Sequence, residues 1–364
     1  MLTVFKGWME RYFADEEAVL VAVLLIVGFI VVIQLGGVLA PMITAVIIAF
    51  MMQGVVSRLK KWGVGHKTAV SLAFLILAGS MVLALVYVLP AVWKQAHNLV
   101  KETPRMLQDG QALMLLLPER YPALVSESQV NDLIGTLHTR LGDAGQVVLS
   151  FSLAQIPILL SVLIYLVLVP ILVFFFLKDA DLMMSWLGSL LPSKRPVMRK
   201  IWREMNQQIA NYVRGKFIEI VIVAGVSAIC FGVLGLKYAL LLGVVVGFSV
   251  LVPYIGAAVV TIPVAAIGFF QWGWSADFFW LLFVYAVIQA LDGNVLVPLL
   301  FSEAVKMHPV AIILAVLVFG GLWGLWGVFF AIPLATLVNA ILNAWPTSLT
   351  NEASVVEESS ELEL

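Results

Sequence analysis

Residues 307–351 form a run of 45 positions without a single Asp, Glu, Lys or Arg, and four more such runs punctuate the chain. They cover 18–57 (40 residues), 68–93 (26), 144–177 (34) and 238–276 (39). A helix needs about 20 apolar residues to cross the hydrocarbon core of a bilayer. The three longest runs can therefore each hold two embedded segments. Gly36, Gly37 and Pro41 divide the first run, predicting helices over 18–35 and 38–54. Two further segments, 217–235 and 278–300, are each interrupted by one acid, Glu219 and Asp292. With 62% apolar and 12% charged residues among 364, the chain is far from the roughly 45–50% and about 25% of a soluble domain. The expected fold is an all-α polytopic membrane protein with about eight membrane-embedded segments and a helical extracytoplasmic region.

The loops set the expected orientation. Residues 58–67 carry Arg58, Lys60, Lys61 and Lys67, and residues 178–216 carry eight basic side chains. Both belong on the cytoplasmic side, which places the N- and C-termini there as well. The 91–145 connection has five basic and six acidic residues, so it can be translocated. The chain then divides into a surface helix at 1–17, three transmembrane helices in 18–93, an extracytoplasmic helical region at 94–145, a transmembrane helix at 146–177, cytoplasmic amphipathic helices at 178–216, a transport core at 217–346 and an acidic, disordered tail at 347–364. In 94–145 helical spacing at Val130, Leu133, Ile134, Leu137 and Leu141 is broken at Pro104, Pro118 and Pro122. Met198, Ile201, Trp202, Met205, Ile209 and Tyr212 share one helical face, predicting a membrane-surface elbow over 197–212 that leads into the next span.

The C-terminal half contains a repeat. Residues 240–269 run apolar, break at Pro253-Tyr254-Ile255-Gly256 and continue to Ile262-Pro263. Residues 311–340 run apolar, break between Gly320 and Gly327 and continue to Ile332-Pro333. Each half is about 13–16 residues, or about 20–24 Å of helix, short of the roughly 30 Å core. Two readings stand: ordinary pairs of spans with Gly-rich turns, or broken, re-entrant helices entering from opposite faces, as transporters use around a midplane site.

Ionisable groups inside apolar spans are costly and mark function by default. Asp292 is the first candidate, flanked by Gly293 and Asn294 with Gln289 three residues before it. Gly293 and Pro298 can loosen the helix there, so that backbone carbonyls join the carboxylate around a cation or proton. The competing role is a polar knot between helices. Tyr254, Pro253 and Gly256 supply a hydroxyl and open backbone at the first break. Glu303 can pair with Lys306, marking the end of a span, and Glu219 reads as half of an interfacial ion pair with Arg214 or Lys216. Trp272, Trp274, Trp280, Trp323 and Trp326 line a pathway or anchor the interfaces. Cys230, the lone cysteine, is a packing residue.

Catalytic chemistry finds no scaffold. His66, His97, His138 and His308 are scattered without a metal-ligand pattern, and there is no phosphate-binding Gly-rich loop and no Gly-x-Ser-x-Gly. No cofactor is expected and the chain is not read as an enzyme. A net charge of −1 argues against nucleic acid.

Several motifs together resemble the AI-2E (autoinducer-2 exporter) family of bacterial inner-membrane proteins. They are Phe174-Phe175-Phe176-Leu177-Lys178-Asp179, Leu191-Pro192, Tyr212-Val213-Arg214-Gly215-Lys216, Pro253-Tyr254-Ile255-Gly256, His308-Pro309 and Gly320-Gly321 through Gly324 and Gly327 to Ile332-Pro333. The resemblance implies a secondary transporter of a small polar solute, exporting a signal such as autoinducer-2 or exchanging cations for protons, with H+ or Na+ and membrane lipid as partners. It also implies a homo-oligomer, a pentamer. A non-transporting oligomeric scaffold and a small-solute channel are the alternatives; Asp292 in a broken helix favours transport.

Overall fold

The computed structural model describes residues 16–115, Gly135, 155–191, 196–253, 255–301 and 308–344. All elements among the described residues are helical. In chain order they are α1 (Glu16–Lys61), α2 (His66–Leu83), α3 (Leu89–Leu115), α4 (Gln155–Lys178), α5 (Ala180–Ser189), α6 (Pro196–Val233), α7 (Ala239–Ser249), α8 (Ile255–Trp272), α9 (Ala276–Leu291), α10 (Val297–Phe301), α11 (Pro309–Trp323) and α12 (Leu325–Ala344). Among the described residues six segments are long and apolar enough to cross a membrane, within α1, α2–α3, α4, α6, α8 and α9–α10; α7, α11 and α12 carry shorter apolar helices. The chain is a multi-pass membrane protein.

Three expected breaks are absent. α1 runs unbroken through Gly36, Gly37 and Pro41, so helices over 18–35 and 38–54 are one helix of 46 residues. α3 passes through Pro104 in the same way. The elbow over 197–212 and the span that follows are also one helix, α6, of 38 residues. For α1 the reason is physical. A proline inside a helix forfeits one backbone hydrogen bond, whereas ending a helix in an apolar setting orphans several. The surface helix in 1–17 and the spacing from Val130 to Leu141 lie outside the described residues, apart from Glu16, Glu17 and Gly135.

Prolines act differently at two other places. Residues Ala84–Val88 join α2 to α3, and Asp292–Leu296 join α9 to α10, each as a five-residue turn with i→i+5 hydrogen bonds. Leu89 N donates to Ala84 O, and Val297 N donates to Asp292 O. Pro90 and Pro298 follow at the same offset from each widened turn. The ring's clash with the carbonyl four residues back is relieved by widening the turn rather than by breaking the helix.

One bundle centres on α6. Phe231 and Val223 of α6 pack with Leu242 and Val246 of α7, Val260 and Val264 of α8, and Leu281 and Tyr285 of α9. Gly243 and Gly247, one turn apart, let α7 lie directly on α6: a Cβ at either would press on Ala228 or on Ala224 and the Ile220 carbonyl. Small residues at such spacing are how membrane helices approach closely. A second cluster joins Ala45, Ala49 and Val56 of α1 to Ala69, Val70 and Ala73 of α2 and Val169 and Val173 of α4.

Both repeat segments fold as helical hairpins. At the open end of α7–α8, the Gln271 side chain donates to Gly235 O (2.8 Å) and accepts from Lys237 N (2.7 Å). The far end of α8 therefore returns to the start of α7. At the closed end Gly256 is essential, because a Cβ there would overlap the Ser249 carbonyl oxygen. α11–α12 repeats the device: a Cβ at Gly327 would overlap the Phe319 carbonyl oxygen. Gly324 holds φ 59° and ψ −133° at its turn, which only glycine adopts without strain. Gly320 meets Val328, and Ala315 and Val316 pack with Ala331, an antiparallel pairing. Val252, from the first break, packs into this second hairpin.

Candidate functional site

Lys216 and Glu219 sit one turn apart in α6, 4% and 1% exposed, with Nζ 2.8 Å from Oε2. The sequence reading placed Glu219 in an interfacial ion pair; the pair forms, with Lys216, but inside the bundle. Its second neighbour is an aromatic face: Lys216 Nζ lies 5.3 Å from the Phe301 ring centroid. That ring needs Gly215, since a Cβ there would come within 2.7 Å of it. Tyr212 completes the wall, packing against Phe301 (5.8 Å between centroids) and donating to Phe329 O at 2.9 Å.

Asp292 faces this pair from the widened turn, which packs on α6, and interacts electrostatically with both Lys216 and Glu219. One ammonium thus stands between two acids, bonded to Glu219 and acting on Asp292 only at longer range. Asp292 Oδ1 is buried and has no hydrogen-bond partner among the described residues, and the same holds for Gln289 Nε2 one turn earlier. The depths agree from opposite ends. Asp292 is 16 residues beyond the start of α9 and Lys216 is 17 before the end of α6, which at 1.5 Å per residue is about 24–26 Å of helix in each case.

Tyr285, Gln289 and Asp292 fall at i, i+4 and i+7, on one face of α9 and its continuation. Tyr285 OH donates to Ala257 O in the first turn of α8 (3.1 Å) and lies 3.4 Å from Thr261 Oγ1. A polar ladder therefore runs from the closed end of the first hairpin, beside Gly256, down to the Lys216–Glu219 pair. Tyr285 is the member that sequence reasoning missed, and Lys216 was read only as a partner for Glu219 at the interface. The Tyr-x-x-x-Gln-x-x-Asp spacing in an otherwise apolar helix was the available signal for the first.

The remaining candidates divide. Gly293 and Asn294 sit in the widened turn but are exposed on the outer side of α9–α10; Asn294 Nδ2 is bonded back to Ala290 O, and nothing lies within 4 Å of a Cβ at Gly293. Pro253 is in the first break. Tyr254, Glu303 and Lys306 lie outside the described residues. His308 caps α11, its Nδ1 accepting from Val310 N. Trp323 contacts Phe29 (4.8 Å) and Phe319. Among the described residues no three His, Cys, Asp or Glu side chains gather to hold a metal ion.

An apolar bundle with two glycine-pinned hairpins and a buried, incompletely compensated charge cluster is the anatomy of a membrane transport protein. Comparisons with known proteins agree. The family model described as "AI-2E family transporter" matches residues 20–347. The chain is 44% identical over 346 residues to the Escherichia coli K12 protein named "Putative permease PerM", covering 95% of this chain and 98% of that one. It is 27% identical to the Bacillus subtilis protein named "Putative transport protein YueF", over 82% of each chain. A second B. subtilis relative, named "Putative transport protein YrrI", is 25% identical over 83% of this chain and 85% of its own. The chain belongs to the AI-2E transporter family.

Proposed function

We propose that this protein is a secondary transporter of the bacterial inner membrane that moves a small polar solute, coupled to H+ or Na+ through Asp292. The observation that carries the reading is one ammonium facing two acids, bonded to Glu219 while Asp292 Oδ1 is left without a partner among the described residues. Lys216 can compensate only one of Glu219 and Asp292 in full, and an uncompensated carboxylate in an apolar bundle is neutralised by a proton or a cation. Taking up or releasing that ion changes what holds α9–α10 to α6. The Tyr285–Gln289–Asp292 ladder carries the change to the α7–α8 hairpin. Gln289, Gly293 and Asn294 shape the widened turn, Pro253, Tyr254 and Gly256 form the break that meets the solute, and Glu303 closes the end of the same span.

In this reading α7–α8 and α11–α12 are re-entrant and enter from opposite faces, with α9–α10 crossing between them. Neighbouring copies in a homo-oligomer, a pentamer by family resemblance, cover their breaks. Both termini and the basic connection 178–216 face the cytoplasm, and 94–145 faces outward. A cysteine at Gln111 should then react with an impermeant reagent added outside to intact cells, and one at Lys194 only after the membrane is opened; the reverse pattern refutes the map.

The function is tested by flux in proteoliposomes. Purified protein should move at least one solute from a panel of polar metabolites, autoinducer-2 and monovalent cations faster than empty liposomes, with a rate that follows an imposed H+ or Na+ gradient. Correctly folded protein giving no flux above empty liposomes would favour a scaffold.

A further inference from the structure

The buried cluster has a polar approach along α6. Glu204, Gln208, Asn211, Gly215 and Glu219 fall at i, i+4, i+7, i+11 and i+15, a single stripe of that helix. Burial deepens along it: Glu204 is exposed, Gln208 and Asn211 are half-buried, and Gly215 and Glu219 are buried. Gln208 Nε2 lies 3.5 Å from Glu204 Oε1, and Arg214 Nη2 donates to Asn211 Oδ1 at 3.0 Å. Gln208 Oε1 is buried without a partner among the described residues, as is Asp292 Oδ1 at the inner end. Buried polar atoms left over in this way are where water or an ion sits.

One apolar group interrupts this stripe. Gly215 has no side chain, and the Phe301 ring occupies the space: a Cβ at Gly215 would lie 2.7 Å from ring atom Cε1 and 3.1 Å from Cζ. The same ring is 5.3 Å from Lys216 Nζ and 5.8 Å from the Tyr212 ring, centroid to centroid. It therefore lies across the stripe between Gln208 and Glu219. An apolar constriction of this kind closes a polar path by excluding water. Phe301 is the last residue of α10, which continues directly from the widened turn carrying Asp292. Any shift of that turn on α6 carries the ring with it.

We infer that Phe301 is a gate between this stripe and the Lys216–Glu219–Asp292 cluster, and that the stripe is the route by which a proton or monovalent cation reaches Asp292 from the Pro196 end of α6. The inference rests on the ion-coupled reading above. Acids at the mouth and at the inner end, Glu204, Glu219 and Asp292, suit a cation. The cations beside the route are engaged, Lys216 with Glu219 and Arg214 with Asn211 and the Ala210 carbonyl. With the ring removed, the space over Gly215 borders the Lys216 ammonium, so it fills with water instead of staying dry.

The test needs no solute. Full-length protein in liposomes that hold a pH-sensitive dye is given an inward H+ gradient with the membrane potential clamped, and a parallel set reads Na+ entry. Phe301→Ala should admit H+ or Na+ about tenfold faster than wild type. Phe301→Leu, which keeps a smaller apolar plug, should give an intermediate rate. Gln208→Leu added to Phe301→Ala should return the rate towards wild type by drying the stripe. Wild-type rates in both Phe301 variants overturn the gate, and an undiminished leak with Gln208→Leu overturns the route. Release of entrapped calcein by both Phe301 variants would mark a loosened fold and overturn the proposal equally. A selective leak in Phe301→Ala, with no solute flux in wild type, would keep the gate and reject the transport reading. Ordinary wild-type solute flux with no leak in either variant rejects the gate alone.

Discussion

Lys216→Met is expected to destabilise the protein by about 3–5 kcal/mol, the cost of removing one partner of a buried ion pair. The size follows from what remains. Glu219, 1% exposed, keeps its carboxylate with no ammonium, and Asp292 loses the cation with which it interacts. The Glu219 carboxylate cannot reach water without opening the α6–α10 packing around Phe301. The loss is a matter of charge rather than volume, so Lys216→Met/Glu219→Gln should recover most of it, since glutamine retains the shape of the glutamate without the charge. Thermal unfolding in detergent, followed by near-UV dichroism, distinguishes the cases. A single variant as stable as wild type would show that the pair is solvated and the cluster is not a buried site.

Gly256→Ala and Gly327→Ala should each cost about 3 kcal/mol, at the upper end of what one added methyl group costs through overpacking. The obstacle in both is backbone. The new Cβ would overlap the carbonyl oxygen of Ser249 or of Phe319, and no rotamer change removes a backbone carbonyl. The hairpins must open for the methyl group to fit. Opening α7–α8 strains the Gln271 bonds to Gly235 and Lys237 and pulls Ala257 from Tyr285. Gly293→Ala is the matched control: nothing lies within 4 Å of its added Cβ, so it should remain within about 0.5 kcal/mol of wild type. Equal stability of all three variants, measured by unfolding midpoints, would mean the hairpins are not closed as described.

These glycines illustrate how far the residue pattern carries. The repeated break-then-Ile-Pro grammar located both hairpins, because a glycine within an apolar run is costly unless backbone must approach backbone. Asp292 was equally visible, as an acid in an apolar span. The failures have different causes. Gly36, Gly37 and Pro41 were read by rules learned in water, where a broken helix is rescued by solvent; in an apolar setting continuity is cheaper than a break, and α1 runs straight through. Pro90 and Pro298 widen a turn instead, an outcome that local sequence does not distinguish from a kink. Lys216 was read, with Arg214, as a partner for Glu219 at the membrane interface. Its burial depends on Phe301, 85 positions away, folding back over Gly215, and a contact at that separation leaves no local signature.

The central claim is that the charge of Asp292 couples an ion to solute movement, and Asp292→Asn in proteoliposomes tests it most directly. Asparagine keeps the size and the hydrogen-bonding reach but cannot gain or lose a charge. The account predicts that flux of the transported solute loses its dependence on the imposed H+ or Na+ gradient and falls at least tenfold under that gradient, while the unfolding midpoint stays close to wild type. If Asp292 serves only to knot two helices, the change is nearly silent, because interhelical hydrogen bonds in membranes average about 0.6 kcal/mol. Wild-type flux with wild-type gradient dependence in Asp292→Asn would contradict the account.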